Sequence, residues 1–332
     1  RYIVEQLPCR AERSDPPKFC TRLEPMELTL DLSAQELALS RAFEEFRTAM
    51  RAYIAAGDRR RRRAGSFAVE ILGKRLLSCP VAFAESWSRC REGLGEATSA
   101  SETDVDSARR SVERETGDDR ETQSREAVAA GVVGAWLQQA GPHVQEQTAA
   151  IDAALAGLRL DAAAGDVVAR DPLADARFDA LVAVIETLLR DDGTADGRDD
   201  GAWRDDERLV VFTEYKTTLD YVARRLRERY EAERILTLYG GMDETERDLV
   251  KRAFNDPAEP VRVLLGTDAA AEGLNLQRTA RYLLHYDCPW NPSKLEQRNG
   301  RLDRHGQARD VQIFHFMTEE DQDVRFLAHV LR

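Results

Sequence analysis

From residue 208 to residue 317, short apolar runs rich in β-branched and aromatic residues alternate with helical segments, and this alternation leaves few folds open. Runs at 208–213, 234–239, 261–267, 281–287 and 311–317 read as strands, and segments 220–230, 243–255 and 292–300 carry helical spacing between them. Strict strand–helix alternation predicts an α/β fold, a mainly parallel sheet covered by helices. In such sheets ligands lie at the carboxyl ends of the strands. The chemistry should therefore sit where these strands end.

Upstream the pattern is mostly helical. Met26 to Leu32 alternates, and Ser33-Ala34-Gln35-Glu36 fits a capping box, so a helix should start there with Leu37, Phe43, Phe46, Met50, Tyr53 and Ile54 facing a core. Gly57-Asp58 should stop it. Five arginines, Arg59 to Arg63, come next and read either as a solvated loop or helix start, or as a phosphate-contacting loop. Helical spacing returns over 66–90, with a break at Pro80. From about 94 to 126 the chain is rich in Ser, Thr, Asp, Glu and Arg with little to bury, which predicts a poorly packed linker. Helices are expected at 143–160 and 175–190, followed by an acidic Gly/Asp loop at 191–206. The expected divisions are 1–93, the end of a preceding lobe with a mostly helical insert; 94–140, an acidic Ser/Thr-rich linker; 141–200, a helical connector; and 201–332, the α/β lobe.

Composition sets outer limits. The 332 residues can fill two domains, and no apolar stretch is long enough to span a bilayer; with no signal-like start, a cytoplasmic location is expected. Five scattered cysteines without a CxxC pair predict neither a disulfide framework nor a zinc site, and no metal ligands are assigned. The net charge of −12 speaks against a nucleic-acid partner until its distribution is read. Residues 186–207 carry nine acids and three bases, whereas 278–309 carry seven bases and three acids. The basic face is near the C-terminal end.

Four groups of residues end the strands. They are Thr213-Glu214-Tyr215; Tyr239-Gly240-Gly241-Met242 with Arg247; residues 267–277, Thr-Asp-Ala-Ala-Ala-Glu-Gly-Leu-Asn-Leu-Gln; and Trp290-Asn291-Pro292 leading into residues 297–307, Gln-Arg-Asn-Gly-Arg-Leu-Asp-Arg-His-Gly-Gln. Asn291-Pro292 is a helix-start signal, so Arg301 and Arg304, three apart, share a face if the helix runs on. Two guanidinium groups aimed the same way suit a γ-phosphate, where neutralising charge in the transition state is worth roughly a thousand- to a hundred-thousand-fold in rate. Without their surroundings the two would read as surface arginines.

In order and spacing, these motifs resemble the second RecA-like lobe of superfamily 2 helicases, and the Trp-Asn-Pro element with residues 272–277 and 297–307 resembles the Swi/Snf group in particular. The upstream strand, the capped helix and residues 74–80 are similar to the insert between the lobes in bacterial and archaeal members. Within the group, residues 270–277 and 298–307 look more like the RNA-polymerase-associated ATPases and the helicase of the DISARM antiphage system than like chromatin remodellers. The resemblance implies arginine-finger roles for Arg301 and Arg304, with Gln297 as a relay. It also implies positions near the nucleotide for Gly273 and Asn275, and backbone contacts to nucleic acid for Thr213 and Thr267, as suits a protein that tracks a backbone without reading sequence. Asp268 departs from the pattern, standing where many members have a basic residue.

The implied partners are double-stranded DNA, an ATP-binding first lobe in cis or in trans, and either defence-system subunits or RNA polymerase; the implied cofactor is ATP with Mg, held mainly by the first lobe. Neither the G-x-x-x-x-G-K-[ST] loop nor the acidic pair of such a motor is in the sequence, because Gly73-Lys74-Arg75 lacks the hydroxyl and the upstream glycine. The chain is thus expected to be a fragment, or a subunit split from its first lobe and inactive alone. The expected function is an ATP-driven double-stranded DNA translocase. The alternative is a module that serves a separate ATPase or remodels a protein partner.

Overall fold

All five strands read from residue 208 onward are present in the computed structural model, which describes residues 22–114, 116–161, 169–190, 201–271, 274–289 and 291–317. They are β2 (Leu209–Thr213), β3 (Ile235–Leu238), β4 (Val263–Thr267), β5 (Tyr282–His285) and β6 (Gln312–Met317), each trimmed by up to two residues at an end relative to its apolar run. A sixth, β1 (Met26–Thr29), pairs with β6 at the sheet edge, Met26 opposite Phe314. The order is β1-β6-β5-β2-β4-β3, and every pairing is parallel. β2 and β4 are buried along their whole length, which explains why they read as continuous apolar runs rather than alternating ones.

Connectivity locates the site. The chain runs from β2 through α8 (Lys216–Arg229) to β3, returns through α9 (Glu244–Asn255) to β4, and then crosses past β2 to β5 and β6. That reversal at β2 is a topological switch point, where the strand ends leave a crevice. Three leucines of the motif loops, Leu274, Leu276 and Leu302, sit in the core with Phe212, Leu264 and Ile313. Their burial anchors loops that otherwise carry polar groups. Arg208 is also buried, at 1% exposure, because it donates to the carbonyls of Phe254, Asp256 (2.7 Å) and Glu259 (2.9 Å), caps for the end of α9. Burial and the neighbouring Arg262 push its pKa down to about 10.

The chain divides into two compact units. The sheet unit takes the residues up to Asp31, Arg177–Glu214 and those from Val222 on, while the other takes Leu32–Ala176 with Tyr215–Tyr221. Helix α7 (Ala176–Leu189) belongs to the sheet unit from its second residue on.

The second unit is helical. Helix α1 (Ala34–Ala55) begins with the expected box: the Ser33 hydroxyl accepts from Glu36 N and the Glu36 carboxylate accepts from Ser33 N. The five arginines open α2 (Arg59–Ser78), with Asp58 as N-cap. Pro80 is the first residue of α3 (Pro80–Leu94), so the expected break is a change of helix. Phe43, Phe46, Phe83 and Trp87 form an aromatic cluster with ring centroids 5.6–6.1 Å apart, a spacing that contributes beyond area burial.

The linker expected at 94–140 is corrected by this unit. Residues 102–113 form α4 (Glu102–Glu113) and 119–137 form α5 (Asp119–Leu137), followed by α6 (Gly141–Gly157). The amphipathic signal is missing because α5 packs with small residues: Ala129, Ala130 and Gly134 lie buried beside Val133 and Trp136. A Cβ on Gly134 would stand 1.9 Å from the Cys90 carbonyl oxygen, and one on Gly93 the same distance from that of Gly131. Helices α3 and α5 thus touch backbone to backbone, an approach that low side-chain volume permits and a search for apolar stripes overlooks. Among the described residues, no helix is long and apolar enough to cross a membrane.

Candidate functional site

At the carboxyl ends of β2, β4 and β5, one guanidinium ties three loops together. Just after β4, Asp268 opens the short helix α10 (Asp268–Ala271); Arg298, which lies on α11 (Pro292–Asn299) and is 1% exposed, pairs with it at 2.5 Å. It also donates to the Asp287 carbonyl at 2.7 Å, just after β5. The Asp287 carboxylate in turn accepts from the Thr213 hydroxyl (2.5 Å) and the Glu214 amide (2.8 Å), at the end of β2. Burial disfavours the charge on Arg298, but the carboxylates of Asp268, Asp287 and Glu214 more than offset it and hold the group more firmly protonated than a free guanidinium. Glu214 moves the other way, its pKa raised by burial and by Asp287 and Asp268.

A second buried contact fixes α11 against β5. His285 Nε2 lies 2.9 Å from Asn299 Oδ1, while the Asn299 amide nitrogen donates to Glu296 at 3.2 Å. The amide orientation that satisfies Glu296 leaves only an acceptor facing the ring, so the proton of neutral His285 belongs on Nε2. Burial and the nearby Arg298 charge lower the His285 pKa well below its ordinary value. The same Glu296 carboxylate pairs with Arg22 (3.1 Å), which also approaches Asp303 (3.5 Å), clamping helix and following turn.

The helix does not run on to Arg304. It starts as expected, Asn291 capping Ser293 N and Pro292 in first position, but ends at Asn299. Gly300 caps it, and the backbone continues in turns, Asp303 N donating to Asn299 O and Gln307 N to Arg304 O. Arg301 and Arg304 therefore belong to a turn pinned by buried Leu302 and by Gln307, whose amide donates to Ala280 O at 2.9 Å. The Leu276 amide donates to Arg301 O, joining this turn to the loop after β4.

The other expected site residues divide into four sets. Arg304 and Asn275 are brought together, an exposed guanidinium donating to the Asn275 side-chain oxygen and, at 3.3 Å, to Leu274 O. Gln297 is exposed on α11. Thr213 and Thr267 are buried at the strand ends, at 4% and 0% exposure, and the Thr213 hydroxyl hydrogen is directed to Asp287. Gly273 lies outside the described residues, as do Glu272 and Trp290. Arg247, on α9, donates to Ala270 O at 2.9 Å.

Arg298, Asp287, Arg22 and Asn299 were given no individual role in the sequence. One signal for Arg298 was present: Asp268 occupies a position where a base is common, and an unexpected acid calls for a cation nearby. Arg304, with N–H groups remaining beyond its two acceptors, suits a phosphate. Among the described residues, no group of three or more His, Cys, Asp and Glu is placed to hold a metal ion.

Residues 201–306 match the helicase conserved C-terminal domain. The uncharacterized ATP-dependent helicase YqhH of Bacillus subtilis is 35% identical over 122 residues, 37% of this chain and 21% of that protein. The RNA polymerase-associated protein RapA of Pectobacterium carotovorum is 40% identical over 110 residues, 33% of this chain and 11% of that protein. The chain thus spans about a fifth or less of the length of these relatives. A crystal structure of the C-terminal part of the Fun30 ATPase domain aligns with a TM-score of 0.48 at 14% identity, covering 94% of this chain and 90% of that one. Residues 201–306 are thus similar to the conserved C-terminal domain of helicases, and the relatives that share this stretch include an ATP-dependent helicase and an RNA polymerase-associated protein.

Proposed function

We propose that this chain supplies the second lobe of an ATP-driven motor that moves along double-stranded DNA. The observation that carries the reading is the exposed Arg304 guanidinium, oriented by Asn275 and Leu274 O at the switch point of the sheet. A cation held in place costs no reorganisation when charge develops on a transferring phosphoryl group. In this reading ATP and Mg are held mainly by the first lobe, and Arg304, with Arg301 beside it, completes the site on closure. Gln297 relays between nucleotide and first lobe, and Gly273 and Asn275 lie near the nucleotide. Thr213 and Thr267 reach the nucleic-acid backbone only if their loops shift, since both are buried and Thr213 is engaged with Asp287.

The test is ATP turnover by the complete protein, with its ATP-binding lobe, with and without duplex DNA. Arg304→Ala should lower DNA-stimulated turnover by a hundredfold or more. Turnover indifferent to both DNA and Arg304 would sink the proposal. A second reading, a module that remodels RNA polymerase without turnover of its own, is favoured by the similarity to an RNA polymerase-associated protein, and that same indifferent result would put it first. A role in antiphage defence rests on the sequence of residues 270–277 and 298–307 alone.

A further inference from the structure

The motor reading leaves the five arginines at the start of α2 without a task. Arg59, Arg60, Arg62 and Arg63 are exposed, and Arg61 lies over the Tyr53 ring at 5.2 Å. The first turn of the helix holds no acid, and the N-cap Asp58 is engaged with Arg61 N at 2.9 Å. Helix physics disfavours this arrangement. Cations at the positive pole of a helix oppose its dipole, and like charges three or four apart repel each other.

Internal neutralisation is incomplete. Asp106 on α4 approaches Arg63 at 3.4 Å but is shared with Arg109 (3.0 Å) and Arg110 (3.4 Å). Among the described residues, Arg59, Arg60 and Arg62 have no ion-pair partner. Beside them a cavity opens between α2 and α4, lined by Arg60, Arg63 and Arg109, by the two acids Glu102 and Asp106, and by Phe67. In a chain of net charge −12, this is a local excess of cations in a costly place.

We propose that this surface docks the phosphate backbone of double-stranded DNA. Guanidinium groups pair bidentately with phosphate oxygens, and the orphan amides of a helix start add to the attraction. Five consecutive residues rise only about 7 Å along a helix, so the exposed four face neighbouring phosphates of one strand. Nothing in the cluster is suited to reading base edges, and the docking is indifferent to sequence. The inference rests on the DNA-motor reading, and its test separates the two.

That test is duplex-DNA binding by the whole chain without nucleotide, followed by fluorescence anisotropy across a salt series. Replacing Arg59, Arg60, Arg62 and Arg63 together by Ala should weaken binding by about tenfold or more at low salt and lower the salt slope by up to about 3.6, at close to 0.9 for each of the four phosphates that the variant no longer neutralises. Lysine at the same four positions should keep most of both. Melting should confirm folding, because removing cations from a helix start leaves the midpoint unchanged or higher. Affinity and slope unaltered in the alanine variant would overturn the proposal and leave an acidic protein surface as what the arginines meet. Absence of any DNA binding by the chain would overturn it as well. DNA-stimulated turnover that survives while the slope is unaltered would discard this surface and leave the motor reading standing.

Discussion

Two arginines of one motif, Arg298 and Arg304, are six residues apart and do opposite work. Arg298 is buried against Asp268 and Asp287, and Arg304 is exposed with donors to spare. Replacing Arg298 by Met leaves two carboxylates uncompensated among apolar neighbours, and breaking such a buried pair costs roughly 3–5 kcal/mol. Arg304→Ala touches an exposed side chain and should stay within about 0.5 kcal/mol of the parent. Denaturant melts of both variants check this, and equal stabilities would refute the division. Turnover separates them again, since Arg304→Ala should lose activity while remaining folded. From sequence alone both arginines belonged to one basic string, and what distinguished them was the acid at 268, a partner thirty residues away.

At the scale of elements, helices with a clear apolar stripe or a side-chain cap were legible, and helices built on close backbone approach were not. The start of α1 followed from Ser33 and Glu36, and that of α11 from Asn291 and Pro292. The end of α11 was not legible, because Gly300 is compatible with both a continuing helix and a cap, and the choice is made by Leu302 and Gln307 packing into the sheet unit. Helix α5 escaped notice because its packing surface is glycine and alanine. This makes a sharp prediction. Gly134→Ala gains about 1 kcal/mol of helix propensity yet places a methyl 1.9 Å from the Cys90 carbonyl, an overlap expected to cost about 1–3 kcal/mol. Gly131→Ala, one turn earlier, meets nothing closer than 3.8 Å and should be neutral or stabilising by up to about 1 kcal/mol. Thermal melts of the two variants should move in different directions; a parallel shift would mean that α3 and α5 do not depend on their close approach.

For the whole molecule, net charge was the weakest guide, because −12 conceals where cations are placed and which charges are buried. Buried titratable groups nevertheless set how stability responds to pH. His285 and His315 are 2% and 4% exposed, and burial lowers both pKa values. Their unfolded forms take up protons near pH 6.5 while the folded forms do not. The stability they contribute is therefore complete above that pH and is lost as pH falls toward the folded values. Each group can contribute a slope of about 1.4 kcal/mol per pH unit in that window. Glu214 opposes them: its raised pKa lets the folded state gain a proton first, adding stability as pH falls. A difference between two proteins isolates the histidine. His285→Gln keeps a donor for Asn299 and removes the titration, so its stability loss between pH 7 and pH 5 should be smaller than the parent's by about 1–2 kcal/mol. Urea melts at several pH values provide the measurement, and identical pH profiles would show that His285 is protonated in the folded chain, against the burial and the Arg298 charge that surround it.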